Sequence, residues 1–283
     1  MRPTKAQIKQ YAAQALQRCL DSFARLDDKA WGKKASDRWT AKDYLAHLVI
    51  AQEEESNRLI QQALAGEPAN IPGFATREEI NGYNEQMLAK ARDLPLSELL
   101  GRLKAAYEEA LGILDGLSEA DLDKPASHPA WGCPGSVRDL LFASYLHLPD
   151  HYQDIRRAAK KKLPHWVEAS TPEEVHFQME RTFHYMPLIY WSDRGGDMQA
   201  TYLFTMEGEG GGQWSVRIAE GRAKADCGAA DSFDAEVRTK PELWVDLSNN
   251  DLNPAWAITT RKVHLGGNPG LAMKLGTLFQ VNE

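Results

Sequence analysis

The sequence predicts two differently built halves, an all-helical N-terminal bundle followed by a domain of the α+β class. Two changes of pattern carry this prediction. Over the first 165 residues apolar side chains recur at three- and four-residue steps, the spacing of one helical face. From Gln199 onward apolar and polar residues alternate with a period of two, which is typical of half-buried strands. A length of 283 residues is long for one domain and comfortable for two.

Four long helices and one shorter piece predict an up-down four-helix bundle. Thr40, followed three residues later by Asp43, is a capping box that opens the second helix. Pro149 lies inside the last helix and lacks a backbone donor, so we expect a kink or bulge there. The predicted helices run over residues 5–26, Thr40 to Ala65, Thr76 to Pro95, Ser97 to Leu117 and Ser136 to Lys161.

The second half predicts a sheet of five strands with helices before, between and after them. Short turns, such as the glycine-rich turn at residues 208–212, indicate antiparallel neighbours. We place the boundary near Pro164 to Thr171, which gives domains 1–165 and 171–283. The predicted strands are 201–205, 214–218, 222–226, 233–238 and 261–265, and the predicted helices are 172–186, 241–247 and 271–279.

Composition excludes several classes of protein. No run of eighteen apolar residues occurs, so we expect no membrane span, and the first residues lack the apolar core of an export signal. Cys19, Cys133 and Cys227 are odd in number and widely spaced, which argues against a disulfide framework and favours a cytoplasmic location. The formal net charge is -7, so there is no electrostatic reason to expect a nucleic-acid partner.

Three of the eight histidines are placed to meet in the bundle. His147 and His151 are four residues apart, so they project from one helical face, one turn apart. His47 lies in the middle of another predicted helix, between Leu45 and Leu48, and should also point inward. Three imidazoles with an open position form the kind of site that a catalytic metal occupies. Nitrogen ligands suit zinc, nickel, iron or copper, and spacing alone does not choose among them.

A second interpretation of the histidines stays open at this point. Pairs at four-residue spacing arise often by chance, and histidines at the edge of a core can simply bond to polar neighbours. Asp150 and Asp154 lie on the same predicted helix. Either could orient a ligand imidazole, and either could be a charge that faces solvent.

Two stretches resemble the DinB-like family. Residues 38–48, RWTAKDYLAHL, look like its second-helix signature of a Trp, a cap and an Ala-His-Leu. Residues 136–155 resemble its final-helix motif, in which two ligands four apart are followed by a glutamine. Over residues 1–165 this resemblance implies a four-helix bundle with one metal held by His47, His147 and His151. Zinc is the first expectation, with nickel or iron as alternatives.

The branches of that family suggest a chemistry for the bundle. They include thiol-dependent transferases and mycothiol-dependent maleylpyruvate isomerases, so the resemblance implies a low-molecular-weight thiol beside a small-molecule substrate. In the isomerase branch a glutamate can occupy one ligand position, where His147 stands here. A metal in such a pocket would lower the pKa of a bound water or thiol and present it as a nucleophile.

Residues 172–283 resemble the sterol carrier protein type 2 fold. The matching segments include 202–204, 214–216 and 253–257, and Gly267-Asn268 stands where the family usually has glycine-aspartate. The resemblance implies a five-stranded sheet backed by helices around an apolar tunnel for fatty acyl chains or sterols. Apolar residues with Met suit such an adaptable pocket. The candidate lining residues are Phe183, Met186, Leu243, Trp244, Trp256, Met273, Leu278 and Phe279.

Three functional hypotheses follow from the two halves. The first is an enzyme whose bundle carries out metal-dependent thiol transfer or maleylpyruvate-type isomerisation, while the second domain binds an apolar ligand. The alternative is a non-enzymatic carrier of lipids or apolar small molecules, with a structural metal in its bundle. The third is an oligomerising protein with neither chemistry, and a homodimer is a further expectation because such domains can dimerise in fused architectures.

Overall fold

A computed structural model describes residues 2–76 and 79–279 of the chain. The predicted start of the helix at Thr76 falls partly on residues 77 and 78, which lie outside the described residues. The chain forms two compact units. The bundle unit comprises residues 2–130 and 134–165, and the sheet unit comprises residues 131–133 and 166–279. No described helix is both long enough and apolar enough to cross a membrane.

The bundle unit is helical apart from two very short paired strands, β1 (Pro125–Ala126) and β2 (Gly135–Ser136). One helix changes to the wider π form over Ala51–Ser56, which we call the π turn. The helices are α1 (Lys5–Phe23), α2 (Asp28–Trp31), α3 (Ala41–Ile50), α4 (Asn57–Ala65), α5 (Ile80–Leu88), α6 (Leu96–Gly116), α7 (Glu119–Leu122) and α8 (Val137–Ala158).

Local sequence sets the starts of the two helices that carry the histidines. Thr40 accepts a hydrogen bond from the backbone of Asp43, whose carboxylate accepts one from the backbone of Thr40. Ser136 and Asp139 form the same reciprocal box at the start of α8. Each box satisfies two backbone donors that would otherwise lack a partner, so both helices begin where the sequence predicts.

Packing within the bundle brings α3 and α8 together. Helix α3 packs against α8, α6 and α5, and α1 packs against α8 and α6. Leu45 and Leu48 on α3 are fully buried, as is Leu148 on α8. His47 lies between the two leucines in sequence, so the apolar face that buries α3 also carries this imidazole into the interior.

The sequence predicts a kink or bulge at Pro149, but the irregular turn of the bundle lies elsewhere. Helix α8 runs without interruption from Val137 to Ala158, with Pro149 inside it. The irregularity lies instead in the facing helix, at the π turn. A π turn contains one residue more than an α turn, and such turns occur often at functional sites.

The sheet unit contains a five-stranded sheet with helices around it. Its strands are β3 (Ala200–Met206), β4 (Gly212–Ala219), β5 (Arg222–Cys227), β6 (Ala235–Thr239) and β7 (His264–Gly267). Its helices are α9 (Pro172–Tyr185), α10 (Ser192–Gly195), α11 (Pro241–Ser248), α12 (Pro254–Thr259), α13 (Pro269–Ala272) and α14 (Leu275–Leu278). The α plus α+β fold class and the five-stranded sheet are therefore confirmed.

The sheet is mixed, whereas the short turns indicate antiparallel neighbours only. The strand order is β5-β4-β3-β6-β7, and β6 pairs in parallel with β3. Short turns do join β3, β4 and β5, but after β5 the chain crosses to the other side of β3 instead of turning back beside β5. The fifth strand also begins at His264, three residues after the predicted start, and the predicted helix over 271–279 is replaced by the short α13 and α14.

One face of the sheet forms an apolar core with α9 and α11. Phe204 of β3 and Trp214 of β4 point into it, and their rings meet Phe183 of α9 at centroid distances of 4.6 and 5.0 Å. Trp244 of α11 lies 5.2 Å from the same phenylalanine. We call these four side chains the aromatic cluster.

Candidate metal site

The three predicted histidines converge between α3 and α8. His47 Nε2 lies 3.2 Å from His147 Nε2, which lies 3.0 Å from His151 Nε2. All three potential ligand atoms lie within 4.8 Å of one another. His47 and His151 are buried, whereas His147 is partly exposed. The cluster is therefore enclosed by protein on most sides and reachable at one of its three imidazoles.

These separations suit three nitrogens on one ion. Imidazole nitrogen binds zinc at about 2.0–2.1 Å, so two such ligands lie about 3.0 Å apart at right angles and about 3.3 Å apart in a tetrahedron. The two observed nitrogen separations, 3.2 and 3.0 Å, are close to this range. Three protein ligands also leave a position for water or substrate, as in catalytic zinc sites.

One carboxylate fixes the orientation of a histidine in the cluster. His151 Nδ1 donates to Asp154 Oδ2 at 2.8 Å, which leaves its Nε2 unprotonated and directed at His147. Arg157 Nη1 lies 3.0 Å from the other oxygen of this carboxylate. Asp154 thus has the contact predicted for one of two candidates, whereas Asp150 is exposed. Carboxylate partners of this kind fix the tautomer of a metal-binding imidazole.

The burial of the cluster favours neutral imidazoles. Desolvation lowers the pKa of His47 well below its usual value, and the nearby His151 lowers it further. The pKa of His147 is lowered in the same way, chiefly by burial, with smaller contributions from the charges of His151, His47 and His128. Because the neutral form is the one that binds metal, the enclosed position prepares these side chains as ligands.

Aromatic side chains from the start of α3 surround the histidines. The Trp39 ring lies 5.0 Å from His47, and the Tyr44 ring lies 5.2 Å from His151. Trp39 Nε1 donates to Glu85 at 2.7 Å, which anchors the indole to α5. The same hydrogen bond is the main reason that the pKa of Glu85 is lowered. The tryptophan of the second-helix motif therefore packs against the first histidine.

The sequence does not predict a buried polar network that lies between the π turn, α8 and α6. Ser144 Oγ donates to Gln52 Oε1, and Gln52 Nε2 donates to Asn57 Oδ1 at 2.7 Å. Asn57 Nδ2 in turn donates to the carbonyl of Ala106 at 3.0 Å. Gln52 lies in the π turn and Asn57 directly follows it, so the network ties this turn to α8 and α6. A sequence signal was available only in the run of seven polar residues from Gln52 to Arg58.

The eight predicted pocket residues of the sheet unit occupy different environments. Phe183, Met186 and Leu278 belong to the apolar core, and Trp244 and Phe279 pack against it. Leu243 is partly buried, whereas Trp256 and Met273 are exposed by 48% and 60%. The structure thus brings five of the eight together in and against the apolar core.

The sheet unit also has a surface cleft of about 250 Å³ with a polar lining. Arg238 there donates to Glu236 at 2.9 Å, and Glu236 also accepts from Thr205 at 3.0 Å. Arg238 and Glu236, two of the charged groups of this cleft, therefore already bind each other. Its lining comprises Glu207, Glu236, Arg238, His264, Leu265 and Gly266.

Comparison with known families agrees with both halves of the fold. Residues 11–155 match the family model described as the DinB superfamily. The chain belongs to the DinB superfamily. Residues 194–280 match the model of the SCP-2 sterol transfer family. Both resemblances that the motifs indicate are therefore confirmed, and the three histidines lie within the first matched region.

A solved structure has a similar fold over most of the chain. The mycothiol-dependent maleylpyruvate isomerase is similar over 86% of this chain and 88% of that chain, with a TM-score of 0.57. The two sequences are 12% identical, so this likeness shows the fold. It covers parts of both the bundle and the sheet unit, since neither alone makes up 86% of the chain.

Two further relatives correspond to smaller parts of the chain. Hydroxysteroid dehydrogenase-like protein 2 of Mus musculus is 28% identical over 121 residues, which are 42% of this chain and 25% of that protein. The chain thus spans about a quarter of the length of this curated relative. The sterol carrier protein domain 2 of Helicoverpa armigera is 25% identical and covers 38% of this chain and 89% of its own, with a TM-score of 0.33.

Proposed function

We propose that the bundle unit is a metal-dependent enzyme that uses a low-molecular-weight thiol, either as a transferase or as a maleylpyruvate-type isomerase. His47, His147 and His151 hold one divalent metal ion, for which zinc is the first choice and nickel or iron the alternatives. The observation that carries this proposal is the convergence of three imidazole nitrogens, all within 4.8 Å of one another, in a buried position.

Each surrounding residue has a defined part in this proposal. His47 and His147 are held neutral by burial, and Asp154 holds the His151 tautomer that presents Nε2. The partly exposed side of His147 gives a small molecule access to the site. A metal in this position would lower the pKa of a thiol or water bound to it, which makes a nucleophile available at neutral pH. The mycothiol-dependent isomerase of similar fold supports a thiol as the co-substrate.

Metal content tests this proposal directly. We expect the purified full chain to contain close to one divalent metal per molecule when analysed by plasma mass spectrometry. His147→Ala and His151→Ala should each lose most of this metal, because two imidazoles with an open side bind an ion less tightly than three. The matched control is His264→Ala, which removes an exposed histidine of the sheet unit.

The possible outcomes separate clearly. Metal retained by His264→Ala and lost by both bundle variants supports the site. Wild-type protein that stays metal-free after incubation with zinc, nickel and ferrous iron would contradict it. If metal binds but no thiol-dependent reaction is found with any thiol, the bundle is a structural metal site and the carrier hypothesis gains support.

We propose that the sheet unit binds an apolar ligand. The match to the SCP-2 sterol transfer family over residues 194–280 supports this second function. A fluorescent fatty acid is a suitable probe, and its emission should rise when the full chain is added. Probe fluorescence that stays at its value in buffer, together with the absence of lipid in native mass spectra, would contradict the binding function.

The domain limits 1–165 and 171–283 and a homodimer are further parts of the proposal. Expression of each segment alone tests the limits, since a segment that contains a whole domain should give a cooperative unfolding transition. Light scattering of the full chain tests the dimer, for which we expect twice the chain mass of 31.7 kDa.

A further inference from the structure

Strand β5 forms one edge of the sheet. Among the described strands it pairs only with β4, as the strand order β5-β4-β3-β6-β7 shows. Most of its side chains are exposed, namely those of Arg222, Lys224, Asp226 and Cys227. An edge strand presents a row of backbone donors and acceptors that can pair with another strand. The opposite edge, β7, has four residues of which two are glycines, so it is the weaker template for pairing.

The register of the β4–β5 hairpin shows which backbone groups point away from β4. The backbone N–H of Gly228, directly after Cys227, donates to the carbonyl of Gln213 at 2.8 Å. Opposite residues of an antiparallel pair alternate between hydrogen-bonded and non-hydrogen-bonded positions, so the even-numbered residues of β5 bond to β4. The N–H and C=O groups of Ala223, Ala225 and Cys227 therefore point outward. A strand added at this edge would bond to these three residues.

One register lets β5 pair with its own copy through all of these outward groups. A two-fold axis perpendicular to the sheet brings two identical strands together in antiparallel orientation. When the axis passes beside Ala225, this residue bonds to Ala225 of the second copy, and Ala223 bonds to Cys227 of the second copy. Each such pair exchanges both of its N–H···O bonds, so none of the outward groups is left over. The edge is therefore complementary to itself.

The charges on β5 favour the same register. Lys224 then lies opposite Asp226 of the second copy, at non-hydrogen-bonded positions, where side chains come closest and opposite charges stabilise the pairing. Moving the axis to Lys224 or to Asp226 still pairs outward groups, but it places two like charges opposite each other, which destabilises the pairing. Lys224 and Asp226 already bind each other within the strand at 2.9 Å, with 76% and 57% of their side chains exposed. Both are thus accessible to a second copy.

We propose that two copies of the chain join through β5, with Ala225 beside the two-fold axis and Lys224 of each copy paired with Asp226 of the other. The two five-stranded sheets then form one continuous sheet. This inference names the contact surface of the homodimer and so rests on that part of the proposed function. The pairing also covers an edge that could otherwise pair with unrelated chains.

Charge reversal on β5 tests this surface. Sedimentation velocity of the full chain over a dilution series measures the dissociation constant of the dimer. Lys224→Asp and Asp226→Lys each place like charges opposite one another at both ends of the contact, so we expect either change to raise this constant at least about tenfold. A mixture of the two variants restores both opposite-charge pairs. Native mass spectrometry of the mixture should therefore show mainly the mixed dimer, whose mass differs from that of either variant's own dimer.

The matched control is Arg222→Asp, which makes the same change of charge on the same exposed strand. In the proposed register Arg222 lies opposite Gly228 of the second copy, so this variant should keep the wild-type dissociation constant. With the axis at Lys224 it would instead lie opposite Asp226, and a weaker dimer in this variant would contradict the register.

The outcomes separate the surface from the homodimer itself. A mixed dimer that forms from two weakly associating variants supports the surface, and it also shows that both variants are folded. A wild-type dimer whose dissociation constant is unchanged by both reversals leaves the homodimer standing and overturns the β5 contact. A wild-type chain that stays monomeric at every concentration overturns both, and Lys224 would then be a charge that protects the edge from pairing.

Discussion

The interior of the bundle unit and the core of the sheet unit use different kinds of side chain. Around α3 and α8 the bundle buries imidazole, amide and carboxyl side chains, including His47, Gln52 and Glu55. The core on one face of the sheet is aromatic and aliphatic, with Phe183 at its centre. Polar groups cost free energy when buried, so a bundle that retains them gives up stability at the positions where chemistry needs them.

The largest expected change in the free energy of unfolding comes from a substitution in the sheet core. Phe183→Ala removes the ring that touches three others, and we expect a loss of about 3–5 kcal/mol in the free energy of unfolding of the sheet unit. Hydrogen exchange should accelerate at β3 amides and stay unchanged at α8 amides. Faster exchange throughout the chain would show that the two units unfold together, and the comparison would then fail.

Metal should stabilise the bundle and leave the sheet unit unaffected. At a free zinc concentration 100 times the dissociation constant, linkage predicts a gain of about 2.7 kcal/mol. Slower hydrogen exchange along α3 and α8, with no change in β3 and β4, is the expected result. Equal protection of both units would mean that the ion binds elsewhere or that the units are coupled.

The carboxylate of Asp154, which accepts a hydrogen bond from His151, should increase the affinity of the bundle for metal. Asp154→Ala removes the acceptor that fixes the imidazole, and loss of such a partner weakens metal binding about 10- to 100-fold. Competition with a chromogenic chelator measures this change. Asp150→Ala is the matched control on the same helix, since that side chain is exposed. Equal losses in the two variants would show that helix charge, and not the hydrogen bond, controls the affinity.

The buried carboxyl of Glu55 should make the bundle less stable as the pH rises. The pKa of Glu55 is about 8 in the folded chain against a usual value of 4.5, so between these values the folded state binds more protons than the unfolded state. Stability therefore falls with rising pH, by about 1 kcal/mol between pH 7 and pH 8. Urea unfolding of metal-free protein should show this fall in wild type and Glu54→Gln. If Glu55→Gln shows the same fall, another group is responsible.

Sequence reasoning succeeded where local chemistry decides the outcome. Thr40 with Asp43 is a capping box both in the sequence and in the structure, and Ser136 begins the last helix as predicted, in a box with Asp139. Their positions set the helical phase and hence the face on which the histidines lie. The family motifs depend on the same residues, and the family matches confirm both of the resemblances.

Long-range pairing and exceptions to regular geometry could not be predicted in this way. The local sequence does not show whether β6 pairs with β3 or with β5. Either pairing places the same face of β6 on the core. The π turn carries a polar run that does not specify its geometry, and Ser144, which donates to Gln52 in this turn, is about ninety residues away in the chain. The exposure of Trp256 follows from the short α12, which buries Ala257 instead. Glu55 was missed because a glutamate in a polar run usually faces solvent.

X-ray absorption at the K edge of the bound metal tests the central claim most directly. For zinc, the account predicts three imidazole nitrogens at about 2.0–2.1 Å, with at least one further light atom from solvent. The multiple scattering that is typical of imidazole should correspond to three rings in wild type and fewer in His151→Ala. A coordination shell of oxygen alone, or the same three-imidazole signal in His151→Ala, would contradict the assignment of His47, His147 and His151 as the ligands.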